Sequence, residues 1–174
     1  QGDLMSDPHT LVGAAKSGDL HLGVLYNFNT ETLQMPAFAA RVEVDLPTGV
    51  ISKGVDTQMT GILTRSFGRL RAHLNLGYTI LGSPQGQERS GAYRAVAAVS
   101  YPLGYPTSFS DTVIASLYTR ESDLRGQRNH TGFEIGLRHQ LSSRLVLDGG
   151  LGTEFSGPSD RAALLGTIGL SVGF

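Results

Sequence analysis

The chain has 174 residues, a formal net charge of −1, no Cys and no Trp. That length suits one ordinary domain spanning residues 1–174, and the charge gives no bulk electrostatic case for a nucleic-acid partner. Without Cys there is neither a disulfide scaffold nor a thiolate metal site.

Apolar residues recur with period 2 along most of the chain, the signature of strands rather than helices. Residues 10–16 (TLVGAAK) read as a short first strand before a turn at Ser17-Gly18-Asp19. Residues 20–28 place Leu20, Leu22, Val24, Tyr26 and Phe28 on one face, with His21, Gly23, Leu25 and Asn27 on the other. In residues 38–46, Phe38, Ala40, Val42, Val44 and Leu46 oppose Ala39, Arg41, Glu43 and Asp45. A weaker strand over 56–65 sets Met59 and Leu63 against Gln58 and Thr60. Residues 70–80 alternate cleanly, with Leu74, Leu76 and Tyr78 opposite Arg71, His73 and Asn75. Residues 92–103 set Tyr93, Val99 and Tyr101 against Arg94 and Ser100, and 109–120 and 144–154 alternate less cleanly. Residues 133–141 oppose Phe133, Ile135, Leu137 and His139 to Glu134, Gly136 and Arg138. The last strand, 162–174, runs through Ile168, Leu170 and Val172 to the terminal Phe174.

Short connections are expected at Phe67-Gly68 and Ser142-Ser143. Longer polar ones are expected at Pro47–Val55, Gly82–Gly91, Glu121–His130 and Ser156–Arg161, with intermediate ones at Asn29–Pro36 and Gly104–Ser108. The fold class that follows is all-β: a transmembrane antiparallel up-and-down β-barrel of about ten strands, or part of a longer barrel of about twelve. A soluble sandwich would share the alternation. The barrel is favoured by long strands without intervening helices, by a polar face rich in Gly, Ala, Ser and Thr, and by the terminal aromatic. Gly accounts for 23 residues, nearly twice the average usage of about 7% and too many for a helical protein. The mean hydropathy of −0.06 fits strands that average an apolar against a polar face. The N-terminal QGDLMSDPHT has no leader-like charged and apolar regions. A signal peptide has therefore been removed, or the chain starts inside a longer protein.

GDLHLGVLYNF (18–28) and PAFAARVEVDLPTG (36–49) resemble the outer-membrane family of MetA-pathway phenol-degradation transporters. LRAHLNLGY (70–78) and FEIGLRHQLSSRLVLDGGLG (133–152) are similar to that family's later strands and its tight turn, and LPTG at 46–49 is the most specific piece. The resemblance implies a barrel and a role in the uptake of small hydrophobic or aromatic compounds.

Ile168, Leu170, Val172 and Phe174 resemble the signal read by the barrel assembly machinery, which would make that machinery a partner during insertion and the C-terminus periplasmic. Other partners expected in the Gram-negative envelope are outer-membrane lipid and lipopolysaccharide. Arg41, Glu43, Asp45, Arg71, His73, Arg94, Glu134, Arg138 and Asp148, with Glu154, fall on polar faces and are the expected lumen residues. Buried charges must be paired or hydrated, so they form either a salt-bridged plug or a polar permeation path. The mixed signs favour the plug. His9, Asp56, Glu88, Arg120, Asp123 and Arg125 lie near loops and are read as a solvated rim rather than a cation or lipopolysaccharide site.

No catalytic motif stands out, and we expect no enzyme activity. His139 near Ser142, and His73 within reach of Glu43 or Asp45, are the nearest approaches to a nucleophile and base. No cofactor is expected, since neither a dinucleotide fingerprint nor a P-loop nor a metal-spaced His pair occurs. Gly149-Gly150-x-Gly152 reads as close packing within a strand. Two functions compete: a narrow channel for small hydrophobic or aromatic molecules, and a structural barrel with a plugged lumen in a larger envelope assembly.

Overall fold

The computed structural model describes residues 20–48, 54–104, 110–158 and 163–173. Within them the chain forms nine strands and no helix: β1 (Leu20–Asn29), β2 (Ala37–Leu46), β3 (Asp56–Phe67), β4 (Leu70–Ile80), β5 (Gly91–Pro102), β6 (Asp111–Arg120), β7 (His130–Ser142), β8 (Leu145–Ser156) and β9 (Leu165–Val172). All pairings are antiparallel, and the order in the sheet is the order in the chain. Among the described residues each strand packs only against its sequence neighbours, so the sheet is open, with β1 and β9 at its edges. The expected strand at 10–16 and Phe174 lie outside the described residues.

The expected turns are corrected by one residue each. Phe67 and Ser142 still belong to strands, and the two-residue connections are Gly68-Arg69 and Ser143-Arg144. Gly68 sits at φ 64°, and no described non-glycine residue has positive φ. Glycine at the first central position and an ordinary second residue is the pattern of a II′ hairpin turn, whose twist matches the strands it joins. Ser143-Arg144 has no such glycine. There the Arg144 N–H donates to Ser142 Oγ at 3.3 Å. A register shift between Gln140 and Ser142 takes up the mismatch of twist.

One end of the sheet carries these two tight turns with the connections 30–36 and 103–110. At the other end lie four long connections, 47–55, 81–90, 121–129 and 157–164. Two of the long ones knit together. The Arg89 N–H donates to the Asp123 carbonyl and the Arg125 N–H to the Gln87 carbonyl, both at 2.8 Å, while Glu88 bridges Leu124. The Arg89 guanidinium meets Glu121 at 3.0 Å. At the short-turn end, segment 30–36 is held against β3. Ser66 donates its N–H (2.6 Å) and its hydroxyl (2.8 Å) to the Glu31 carboxylate, and Arg65 donates to the carbonyls of Thr32 and Leu33. These bonds satisfy a connection too long for a simple hairpin turn.

The pairing registers carry the period-2 pattern across the whole sheet. One row runs Val24, Val42, Met59, Tyr78 and Tyr93 through direct partners. A parallel row runs Leu25, Arg41, Thr60, Gly77, Arg94 and Arg120. The sheet therefore has one apolar face and one polar face. The apolar face is not covered: Val24 is 72% exposed, Leu76 56% and Ile168 89%. Ala92 is the sole buried hydrophobic residue among those described, so this sheet holds no soluble-type core. Phe28, Phe38, Phe67 and Tyr101 line the apolar face toward the short-turn end. Tyr78, Tyr93, Phe133 and Phe155 line it toward the long-loop end.

Candidate functional site

The polar face gathers the chemistry-bearing residues. Every one of the expected lumen residues Arg41, Glu43, Asp45, Arg71, His73, Arg94, Glu134, Arg138 and Asp148 shares that face by register. Some of their pairs bridge neighbouring strands. His21 Nδ1 meets Asp45 Oδ1 at 2.5 Å between β1 and β2, and Arg138 Nε donates to Asp148 Oδ1 at 2.6 Å between β7 and β8. Arg41 instead pairs with Glu43 two residues along its own strand. Arg71 donates to Ser66 Oγ at 3.4 Å. The expected meeting of His73 with Glu43 or Asp45 does not occur. His73 Nδ1 lies 3.0 Å from Thr64 Oγ1, its register partner on β3, while both acids are engaged on β1 and β2.

Pairing is incomplete. Arg94 stands directly opposite Arg120, and neither the Arg94 nor the Glu134 side chain has a hydrogen bond or ion pair among the described residues. The Asn75 Oδ1, between Ile62 and Val96 on the same face, is buried without a hydrogen-bond partner among the described residues.

The most enclosed charged group among the described residues was legible only in part. Glu154 is 6% exposed. Its carboxylate meets His130 Nδ1 at 3.0 Å, accepts from the Tyr118 hydroxyl at 3.4 Å, and stands 3.7 Å from Arg120 Nη2. His130 and Tyr118 carried a usable signal in their parity, which they share with Glu134 and Arg120. Tyr118 lies over Gly132, its direct partner: a Cβ at 132 would come within 2.6 Å of the Tyr118 hydroxyl. Glycine is required there by close approach rather than by backbone angle. Arg120, read as rim, thus belongs to this cluster, and Asp56 accepts from the Gly82 N–H at 2.9 Å. His9 lies outside the described residues.

His139 lies on the apolar face beside the short-turn end and pairs with Asp111 at 2.7 Å, not with a serine. Ile168, Leu170 and Val172 are on the apolar face of β9, and all three are exposed. Gly149 falls on the apolar face, whereas Gly150 and Gly152 fall on the polar one.

Beside these last two glycines the polar face dips into a depression of about 230 Å3. Its base is the directly paired Gly136 and Gly150, and Ile114 and Thr167 extend the same row on either side. The next row toward the long loops holds Ser116, Glu134, Gly152 and Leu165. The Arg138–Asp148 pair closes the other end.

An up-and-down antiparallel sheet with one uncovered apolar face and one charged, glycine-bearing face is the class that fold and site define. The chain belongs to the family described as "Putative MetA-pathway of phenol degradation", whose model matches residues 3–168. No curated protein matches the chain.

Proposed function

We propose that this chain is an outer-membrane β-barrel that passes small hydrophobic or aromatic molecules across the outer membrane. The observation that carries the reading is the uncovered apolar face, which continues through all nine strands. In water such a surface far exceeds the patches soluble monomers tolerate. In a bilayer it is the only surface that can meet hydrocarbon, provided the sheet closes and leaves no free edge. Closure joins the edges of β1 and β9, directly or through further strands.

The two sets of aromatic residues support the same reading. Tyr93 and Tyr101, both on the apolar face of β5, are eight residues apart. That is about 27 Å along a strand at roughly 3.4 Å per residue. At a tilt of about 40° it becomes roughly 21 Å of height, close to the apolar band of about 25 Å that aromatic girdles flank. The tight turns then face the periplasm and the long loops face outward, toward lipopolysaccharide. The family's printed description supports aromatic compounds as the cargo.

The direct test is entry of a labelled aromatic compound into vesicles whose outer leaflet is lipopolysaccharide, with and without the protein. Acceleration by the protein supports transport, and identical rates overturn it. The ion pairs Arg41–Glu43 and Arg138–Asp148 favour a second reading, a filled barrel with a scaffolding role. A large, steady single-channel conductance in planar bilayers would overturn that one.

A further inference from the structure

We propose that the glycine-based depression on β6–β9 is a binding subsite for a small flat ring that carries a hydrogen-bond donor, and that Glu134 is the residue that selects for the donor. The inference rests on the transport reading above and adds to it where the cargo binds and what distinguishes good cargo from poor.

The shape comes from residues that lack side chains. Gly136 and Gly150 are direct partners, so two adjacent strands present bare backbone side by side. Gly152, one row away, leaves a third gap, across which the Glu134 side chain lies: a Cβ at 152 would come within 2.6 Å of Glu134 Cγ. Ile114 and Leu165 supply apolar walls from β6 and β9. A flat ring can lie on glycine backbone at van der Waals distance, where any Cβ would lift it off.

The chemistry comes from Glu134. Its carboxylate has no hydrogen bond or ion pair among the described residues, although it borders a depression with partly apolar walls. The other charges at the depression, Arg138 and Asp148, are engaged with each other. The unmet need is therefore for a donor, and a hydroxyl on a ring supplies one without the desolvation cost of a full cation. A ring without a donor gains the apolar contact alone.

The test uses the full chain refolded in detergent micelles, with isothermal titration of three probes of similar size: phenol, toluene and benzylammonium. Phenol is expected to bind at least about 10-fold more tightly than toluene, since a hydrogen bond to a charged group contributes about 1.5–3 kcal/mol. Glu134→Gln should remove most of that preference while leaving toluene binding unchanged. Gly150→Ala, whose Cβ would stand 3.1 Å from Thr167 Oγ1, should weaken phenol and toluene together. Strand content by circular dichroism shows that each variant has folded. Equal binding of phenol and toluene, or a Glu134→Gln protein that still prefers phenol, overturns the subsite. Tighter binding of benzylammonium than of phenol overturns the ligand class. Vesicle entry of aromatics that is fast and unchanged in Glu134→Gln, with no phenol preference in titration, sinks the subsite while transport stands. Absence of any accelerated entry sinks the transport reading itself.

Discussion

The two faces of the sheet are built by the same nine strands, yet they obey different rules. On the apolar face most of the large side chains from Val24 to Ile168 are exposed, with Ala, Thr and Gly between them, and charges such as Arg65, Asp111 and His139 keep to the short-turn end. The polar face mixes charges, small residues and bare glycine. Tyr118 there needs Gly132 beneath it, and Glu154 is held by its neighbours from three directions. The lesson is that the apolar face is specified by surroundings and the polar face by neighbours. Substitution on the first should be judged by polarity, and on the second by local fit.

Mutations can break this contrast or sharpen it. The largest effect is expected for Leu76→Arg, at mid-strand on the apolar face, which should cost roughly 2–4 kcal/mol in lipid. Equilibrium unfolding from lipid vesicles measures it. Ser100→Arg, on the polar face of the adjacent strand, should stay within about 0.5 kcal/mol, and equal costs would abolish the distinction between the faces. Gly132→Val should cost about 1–3 kcal/mol, because its Cβ would meet the Tyr118 ring and the Thr153 carbonyl. Tyr118→Ala should recover part of that loss, and additivity of the two changes would show that they do not touch.

Smaller again is Glu154→Ala, which leaves His130 and Tyr118 without their acceptor and should cost roughly 1–2 kcal/mol in the same assay. The smallest effect concerns acid. The Glu31 carboxyl is held below its ordinary 4.5, first by the Ser66 N–H, then by the Ser66 hydroxyl, with help from Arg65 and Arg71. A lowered folded-state value means the stabilisation is complete above pH 4.5 and is lost as pH falls through that lowered value. Glu31→Gln should flatten that acid limb in a pH series of unfolding midpoints by lowering the midpoint slightly at neutral pH and leaving it nearly unchanged in acid. An unaltered acid limb would assign the dependence to other carboxylates.

Much of this architecture was legible in the sequence, because period 2 is a local signal. The expected strand at 70–80 coincides with β4, and those at 20–28 and 38–46 differ from β1 and β2 by one residue each. The turn positions slipped because Phe67 and Ser142 look like the end of a pattern but still pair. What the sequence withheld was register. Parity told that Tyr118 and Gly132 share a face, but only the β6–β7 pairing places one over the other. For the same reason His73 was matched with distant acids rather than with Thr64. The zipped loops around Glu88 and Leu124 rest on backbone bonds, which leave no mark in side-chain patterns.

The order of strands also has a kinetic meaning. Each pairing joins sequence neighbours, so a hairpin closes only the short segment between its two strands. Loop closure grows costlier with length, and the two-residue turns at Gly68-Arg69 and Ser143-Arg144 are the cheapest of the eight. The β3–β4 and β7–β8 hairpins should therefore nucleate first, on the microsecond scale of isolated hairpins. The remaining strands then add to these two seeds by further nearest-neighbour steps. In the proposed barrel only the meeting of the two outer edges would demand a long-range search, and a membrane that orients the strands beforehand would shorten it.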